Sequence, residues 1–208
     1  ASTKAFTCQL AVLFLMTLKA AQDRSEISEI NFAKTVSDLK SLPSTLSQYL
    51  GNINSIQDIA YKLSTASDVL FLGRGLMYPV ALEGALKLKE ISYIHSEGYA
   101  AGELKHGPIA LIDDSVPVII LAPCDELFEK NISNMQEVIA RKANVILISD
   151  QEGLQSAGSM VKNTIEMPRA NKLLTPIVYA LPIQLLAYFV AVSKGTDVDQ
   201  PRNLAKSV

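Results

Sequence analysis

Four short apolar runs, each parted from the next by a helical stretch, constrain this chain more tightly than any other feature. They are Val69-Leu70-Phe71-Leu72, Val116-Pro117-Val118-Ile119-Ile120-Leu121, Asn144-Val145-Ile146-Leu147-Ile148-Ser149 and Thr164-Ile165-Glu166-Met167. A strand with one wet face alternates apolar and polar residues, whereas a strand covered on both faces is apolar throughout. Parallel strands need long crossovers between them, usually helices. The runs therefore predict an α/β fold: a parallel sheet flanked by helices, in a three-layer α/β/α sandwich. Pro117 falls near the start of its run, where a missing N–H is tolerated.

The stretches between the runs carry helical periodicity. Phe6 to about Lys19 reads as an apolar helix. From Ala20 to Ser67 the chain is polar and helical, with Ile27, Ile30, Phe32, Val36 and Leu39 recurring at helical spacing. Pro43 is expected to break that run, which resumes over Ile53 to Leu63. Asp125 to Lys142 is predicted to be amphipathic, with Phe128, Ile132, Met135 and Ile139 inward and Lys130, Asn134, Glu137 and Arg141 outward. Leu173 to Val192 is long enough to span a membrane, but Pro176, Pro182, Gln184 and two tyrosines fit a helix packed on the sheet. Lys4 followed by Leu10-Ala11-Val12-Leu13-Phe14-Leu15-Met16 imitates a signal peptide. Without an initiating Met it reads better as a buried helix of a domain that begins upstream. From Gly195 the tail loses all periodicity and carries Pro201, so it needs something to hold it.

Composition matters in two respects. At 208 residues, with 49% hydrophobic and 19% charged, the chain can bury one large core or one and a half smaller ones. A net charge of −2 without a basic cluster argues against nucleic acid as a partner. Cys8 and Cys124 lack metal-ligand spacing and read as free thiols in a reducing, cytoplasmic setting.

The helix Leu82-Glu83-Gly84-Ala85-Leu86-Lys87-Leu88-Lys89-Glu90-Ile91 is apolar nearly all round. Leu82, Leu86, Leu88 and Ala85 cover one side, and Val80, Ile91 and Ile94 the other. Lys87 and Glu90, three apart and so neighbours on the helix surface, share the side of Ile91 and Ile94. Charges so placed point into a cleft, an interface or a paired buried network. Glu83 with Lys87, at i, i+4 spacing, is the plain ion-pair explanation. Gly73-Arg74-Gly75, between strand and helix, is a weak phosphate-loop signal. A dinucleotide fingerprint wants a third glycine at position 78, where Tyr78 stands. Arg74 reads as structural.

The run from Ala81 to Pro108 continues as Ser92-Tyr93-Ile94-His95-Ser96-Glu97-Gly98-Tyr99-Ala100-Ala101-Gly102-Glu103-Leu104-Lys105-His106-Gly107-Pro108. It closely resembles the isomerase domain of the glutamine–fructose-6-phosphate aminotransferase family, which is built from two sugar isomerase (SIS) subdomains. The tail Gly195-Thr196-Asp197-Val198-Asp199-Gln200-Pro201-Arg202-Asn203-Leu204-Ala205-Lys206-Ser207-Val208 is similar to that family's C-terminus, and Ala1-Ser2-Thr3-Lys4-Ala5-Phe6-Thr7 to a segment late in the first subdomain. The resemblance implies an SIS-type sandwich divided at 1–25 (end of the first subdomain), 26–193 (connector helices and second subdomain) and 194–208 (C-terminal tail). It also implies that the glutaminase domain, a partner of the full-length enzyme, and most of the first subdomain lie outside these residues.

The implied reaction turns fructose 6-phosphate and glutamine-derived ammonia into glucosamine 6-phosphate, without metal or organic cofactor. A carboxylate in a partly dry site suits the proton transfer between carbons 1 and 2, and Glu90 is the candidate. Lys87, one turn earlier, is placed to stabilise an enolate-like oxygen. An imidazole suits ring opening, and His106 stands before a Gly-Pro turn that exposes it. His95 reads as a helix-end residue. By resemblance, Lys206 meets the sugar carbonyl, where a lysine forms a Schiff base, and Ser2 and Ala205 touch the sugar. Tyr93, Ile94, Tyr99, Leu104 and Ile109 would expose apolar surface unless covered. Together with the resemblance, that implies a homodimer in which His106 serves the neighbouring chain. No membrane partner is expected. The rival reading is a non-catalytic SIS module that binds a sugar phosphate and regulates a partner.

Overall fold

The four apolar runs pair side by side in parallel, and a fifth strand that they did not announce joins their edge. The computed structural model describes residues 2–51 and 53–202. Its strands are β1 (Asp68–Gly73), β2 (His95–Ala100), β3 (Pro117–Leu121), β4 (Asn144–Asp150) and β5 (Asn163–Met167). They form one sheet in the order β2-β1-β3-β4-β5, every neighbouring pair parallel. The helices are α1 (Thr3–Asp23), α2 (Glu29–Leu50), α3 (Asn54–Leu63), α4 (Met77–Ser92), α5 (Phe128–Ile139), α6 (Gln151–Ala157) and α7 (Thr175–Lys194).

Side chains along a strand point alternately to the two faces, and each face has its own cover. Val69 and Phe71 of β1 with Ile119 and Leu121 of β3 pack under α3, α4 and α7, in one cluster with Ile56, Leu88 and Ile183. Leu70 and Leu72 with Val118 and Ile120 pack under α5, against Phe128, Ile132 and Met135. Both faces are dry, so these strands are apolar at every position. Burying one such side chain stabilises the fold by about 1.5–3 kcal/mol. At the β1–α4 turn the chain bends so closely that a Cβ on Gly73 would lie 2.3 Å from the Met77 carbonyl oxygen.

Several sequence expectations change. Pro43 does not break the helix: α2 runs from Glu29 to Leu50 with Pro43 inside it. Pro43 is exposed at the margin of the stripe of Leu39, Leu42 and Leu46 that packs on the core, so the helix gives up one backbone bond near its surface rather than inside the core. Asn134 of α5 is buried rather than outward, because Arg74 reaches across to bond it. His95 is the first residue of β2, not a helix end, with its Nδ1 2.7 Å from Asp68 Oδ1. The apolar residues after α4 need no partner to leave water. Ile94 and Leu104 are buried in the chain's own core, and Tyr99 and Ile109 pack against it.

Two helices have the length and hydropathy of a membrane span, and they differ in setting. Of the apolar window in Lys172–Lys194, which contains α7, 61% is buried; in α1 the figure is 6%. α7 is the core helix expected. α1 is not the buried helix expected: Leu10, Ala11 and Phe14 pack on the core, while Val12, Leu13 and Met16 face out. Its apolar residues run all round the helix, and its neighbours α7 and α2 cover one stripe.

Candidate active site

The carboxyl-terminal half of α4 holds the charge that the sequence singled out. α4 packs closely on α7 because Gly84 lies flat against Phe71 and Ile183, where a Cβ would stand 2.7 Å from the Phe71 ring. That approach turns Lys87 inward: its side chain is 4% exposed, while Leu82 and Leu86 face solvent. Two carboxylates bracket the buried ammonium, Glu90 Oε2 at 3.0 Å and Glu83 Oε1 at 3.5 Å. Burial raises the Glu83 carboxyl above its ordinary range, and the Glu90 charge adds to the rise, against the opposing pull of Lys87. One buried cation shared by two carboxylates leaves the cluster with a net negative charge. Glu90 is its most open member, at 24% side-chain exposure, so it is placed to reach a molecule outside.

The tail comes back to this same end of α4. Thr196 Oγ1 donates to the Ile91 carbonyl (2.6 Å), Asp197 folds the next residues by accepting from the Asp199 and Gln200 amides, and Pro201 is buried. The Arg202 amide donates to the Tyr93 hydroxyl (2.8 Å), and the Arg202 guanidinium lies 4.1 Å over the Tyr93 ring. Tyr93 itself takes a left-handed backbone, φ 61°, rare for a bulky residue. Thus the tail is held three residues beyond Glu90. Lys206 and Ala205 lie outside the described residues.

His106 sits elsewhere. The chain leaves α4 near the amino ends of the strands, where His95 pairs in register with Asp68, and runs along β2 to Ala100 opposite Gly73. A short 3-10 helix, Ala101–His106, follows. His106 therefore belongs to a segment that packs, through Ala101 and Leu104, with α5 on the sheet face opposite α4 and Glu90. Its imidazole is 76% exposed, with Glu103 Oε2 at 4.0 Å. Gly107 then takes φ 143°, a backbone open to glycine alone. Ser2 precedes α1, whose Thr3 carbonyl accepts from Gln184 on α7. So the structure joins Lys87 and Glu90, sets the tail beside them, and keeps His106 apart.

Sequence reasoning saw Glu83 only as an ion-pair partner and missed Tyr93 and Arg202. The i, i+4 spacing pointed to the first; no local signal marks a contact across 109 positions. A cavity of about 570 Å³ lies away from this cluster, between α2 and the β5 edge, where burial and then Glu166 push the Tyr49 phenol up to about 12. Among the described residues no His, Cys, Asp or Glu group could hold a metal ion.

A parallel sheet in this strand order, under helices on both faces, makes this a doubly wound α/β domain. The model of the SIS domain family matches residues 62–194, and the chain belongs to that family. Within it, the sequence is 58% identical to glutamine–fructose-6-phosphate aminotransferase (isomerizing) of Zymomonas mobilis, over all of this chain and 34% of that protein. The same-named protein of Bartonella quintana is 57% identical over the same shares. The chain thus spans about a third of the length of these relatives. Among solved structures, the C-terminal domain of glucosamine-fructose-6-phosphate aminotransferase from Francisella tularensis superposes with a TM-score of 0.90 at 44% identity. That match covers 96% of this chain and 56% of the other.

Proposed function

We propose that this chain carries the proton-transfer half of a glutamine–fructose-6-phosphate aminotransferase site, converting fructose 6-phosphate and ammonia to glucosamine 6-phosphate. The single observation that carries the reading is the buried Lys87 ammonium 3.0 Å from Glu90, with the tail docked beside both on Tyr93. A binding module has no need of such a pair.

Glu90, as a carboxylate, takes a proton from carbon 1 and returns it to carbon 2. Lys87, held by two carboxylates, stabilises negative charge on the neighbouring oxygen as the proton leaves. Arg202 stands four residues before Lys206, a reach of at most about 14 Å, so Lys206 is within range to meet the sugar carbonyl. Ala205 and Ser2 touch the sugar. His106 opens the ring, and its separation from Glu90 within one chain supports a homodimer in which it serves a neighbouring copy. Residues 1–25 complete a first SIS subdomain, whose remainder covers the exposed face of α1; residues 26–193 form the second, and 194–208 the tail. The glutaminase domain of the full-length enzyme supplies ammonia, and the setting is cytoplasmic.

The test is Glu90→Gln in the full-length enzyme, followed by exchange of the carbon-1 proton with solvent. General acid–base catalysis contributes ~100- to 10,000-fold, so exchange should fall by that order while sugar binding stays within about twofold. Unchanged exchange would remove Glu90 as the base and favour a binding module.

A further inference from the structure

We propose that Arg74, Asn134, Glu137 and Lys105 form a mount that positions His106, so that helix α5, on the sheet face opposite α4, controls the imidazole. The proposal rests on the reading of His106 as the ring-opening group.

The mount is a continuous chain of bonds. Arg74 leaves the β1–α4 turn and donates from Nε (3.1 Å) and Nη2 (2.8 Å) to Asn134 Oδ1. The amide nitrogen of Asn134 donates to Glu137 Oε2 (3.3 Å), and Glu137 Oε1 pairs with Lys105 Nζ at 2.9 Å. Lys105 is the residue before His106. Asn134 is 6% exposed, so its amide is committed to this chain rather than to water. Burial works to raise the Glu137 carboxyl, but Lys105 and Asn134 outweigh it and hold the group below the ordinary range. From the other side, the guanidinium lies flat under Gly102, where an added Cβ would come within 3.1 Å of both its terminal nitrogens. Leu104, fully buried, pins the middle of the 3-10 helix.

These contacts explain an otherwise odd combination. His106 is exposed and, among the described residues, makes no close bond of its own, yet the five residues before it are fixed from below by Arg74, at one side by Glu137 and inside by Leu104. An exposed imidazole on a rigid base suits a group offered to a substrate held on another copy. Ionic and amide bonds, not apolar packing alone, set its direction. Misplacing a catalytic group by about 1 Å costs up to ~100-fold.

The test uses Asn134→Leu, which keeps the size and removes the bonds to both Arg74 and Glu137, Glu137→Gln, which removes one charge at a partly open position, and His106→Ala as reference. In the full-length enzyme, Asn134→Leu should lower kcat about tenfold and Glu137→Gln about threefold, with KM for fructose 6-phosphate unchanged. In the 208-residue chain, which has two histidines, Asn134→Leu should move the His106 imidazole NMR signals and leave those of His95 in place. His95 lies at the far end of β2 and reports any general loss of fold. If both histidines move, Glu137→Gln decides by the same readout. Wild-type His106 signals and kcat in both variants, with His106→Ala impaired, would overturn the mount. An unimpaired His106→Ala enzyme would instead overturn the ring-opening role, leaving the NMR result to decide the mount.

Discussion

The two ends of the stretch from α4 to the 3-10 helix carry opposite designs. At the amino edge of the sheet, Lys87 is buried and bracketed by Glu83 and Glu90 at 3.5 and 3.0 Å. On the opposite face of the sheet, His106 is 76% exposed and, among the described residues, held through the residues before it. The difference fits the roles proposed for the two groups. A charge that stabilises another charge gains from a dry setting, where the field is stronger. The role proposed for the imidazole, proton exchange with a substrate on another copy, fits a group that stands clear of its own surface. A single copy of this chain therefore holds the two groups on opposite faces of the sheet.

Complementation is the sharpest way to break that comparison. Mixed dimers of a His106→Ala full-length enzyme and a Glu90→Gln enzyme should regain up to half the normal turnover of one site pair, from parents that are each nearly inactive. If the mixture stays inactive, the two groups serve the same copy and the spatial separation has no functional meaning.

At the buried end, Lys87→Met should cost about 3 kcal/mol of folding stability, because it leaves two partly buried carboxylates without their cation. The shift in urea midpoint measures it. A loss under 1 kcal/mol would mean that water already screens this end as it does the other.

Glu83→Gln sharpens the same contrast through pH. The folded state holds the Glu83 carboxyl above its ordinary 4.5, by burial first. The protonated form is the one the fold favours, so this group's stabilisation is complete below 4.5 and is lost as pH rises through the raised value. The variant lacks that loss, so its stability relative to wild type should increase with pH from 4.5 upward and then level off. A flat difference would place Glu83 in water.

The smallest effect expected is that of Tyr93→Phe, which removes the bond to the Arg202 amide and leaves the ring for its guanidinium. Losing one such hydrogen bond costs about 1 kcal/mol, so exchange of the Arg202 amide should quicken about fivefold. No change would show the tail held by Thr196 and Pro201 alone.

Much of this was legible before any coordinates. Four of the five strands, both flanking layers and the Lys87–Glu90 pair come from local patterns, and the family from the resemblance of three segments. β2 was not legible, because His95-Ser96-Glu97-Gly98-Tyr99-Ala100 has no apolar run. As an edge strand it is half-open, and Gly98 lets it pass within 2.8 Å of the Leu82 backbone, measured from an added Cβ. Asn134 looked like an outward residue of an amphipathic helix until Arg74, sixty positions away, claimed it.

The sequence by itself determined which segments leave water on both sides and hence a parallel sheet between two helical layers. It also determined that Lys87 and Glu90 meet, since three residues on a helix fix their spacing covalently. Only the tertiary structure decided that Lys87 turns inward while Leu82 and Leu86 turn out. It alone decided that the tail docks on Tyr93, that Arg74 reaches Asn134, and that His106 and Glu90 belong to opposite faces of the sheet. Periodicity records how each residue stands toward water within its own element. Contacts between elements depend on how close two backbones come, and here single glycines at 84, 98 and 102, with no polarity of their own to read, set those distances.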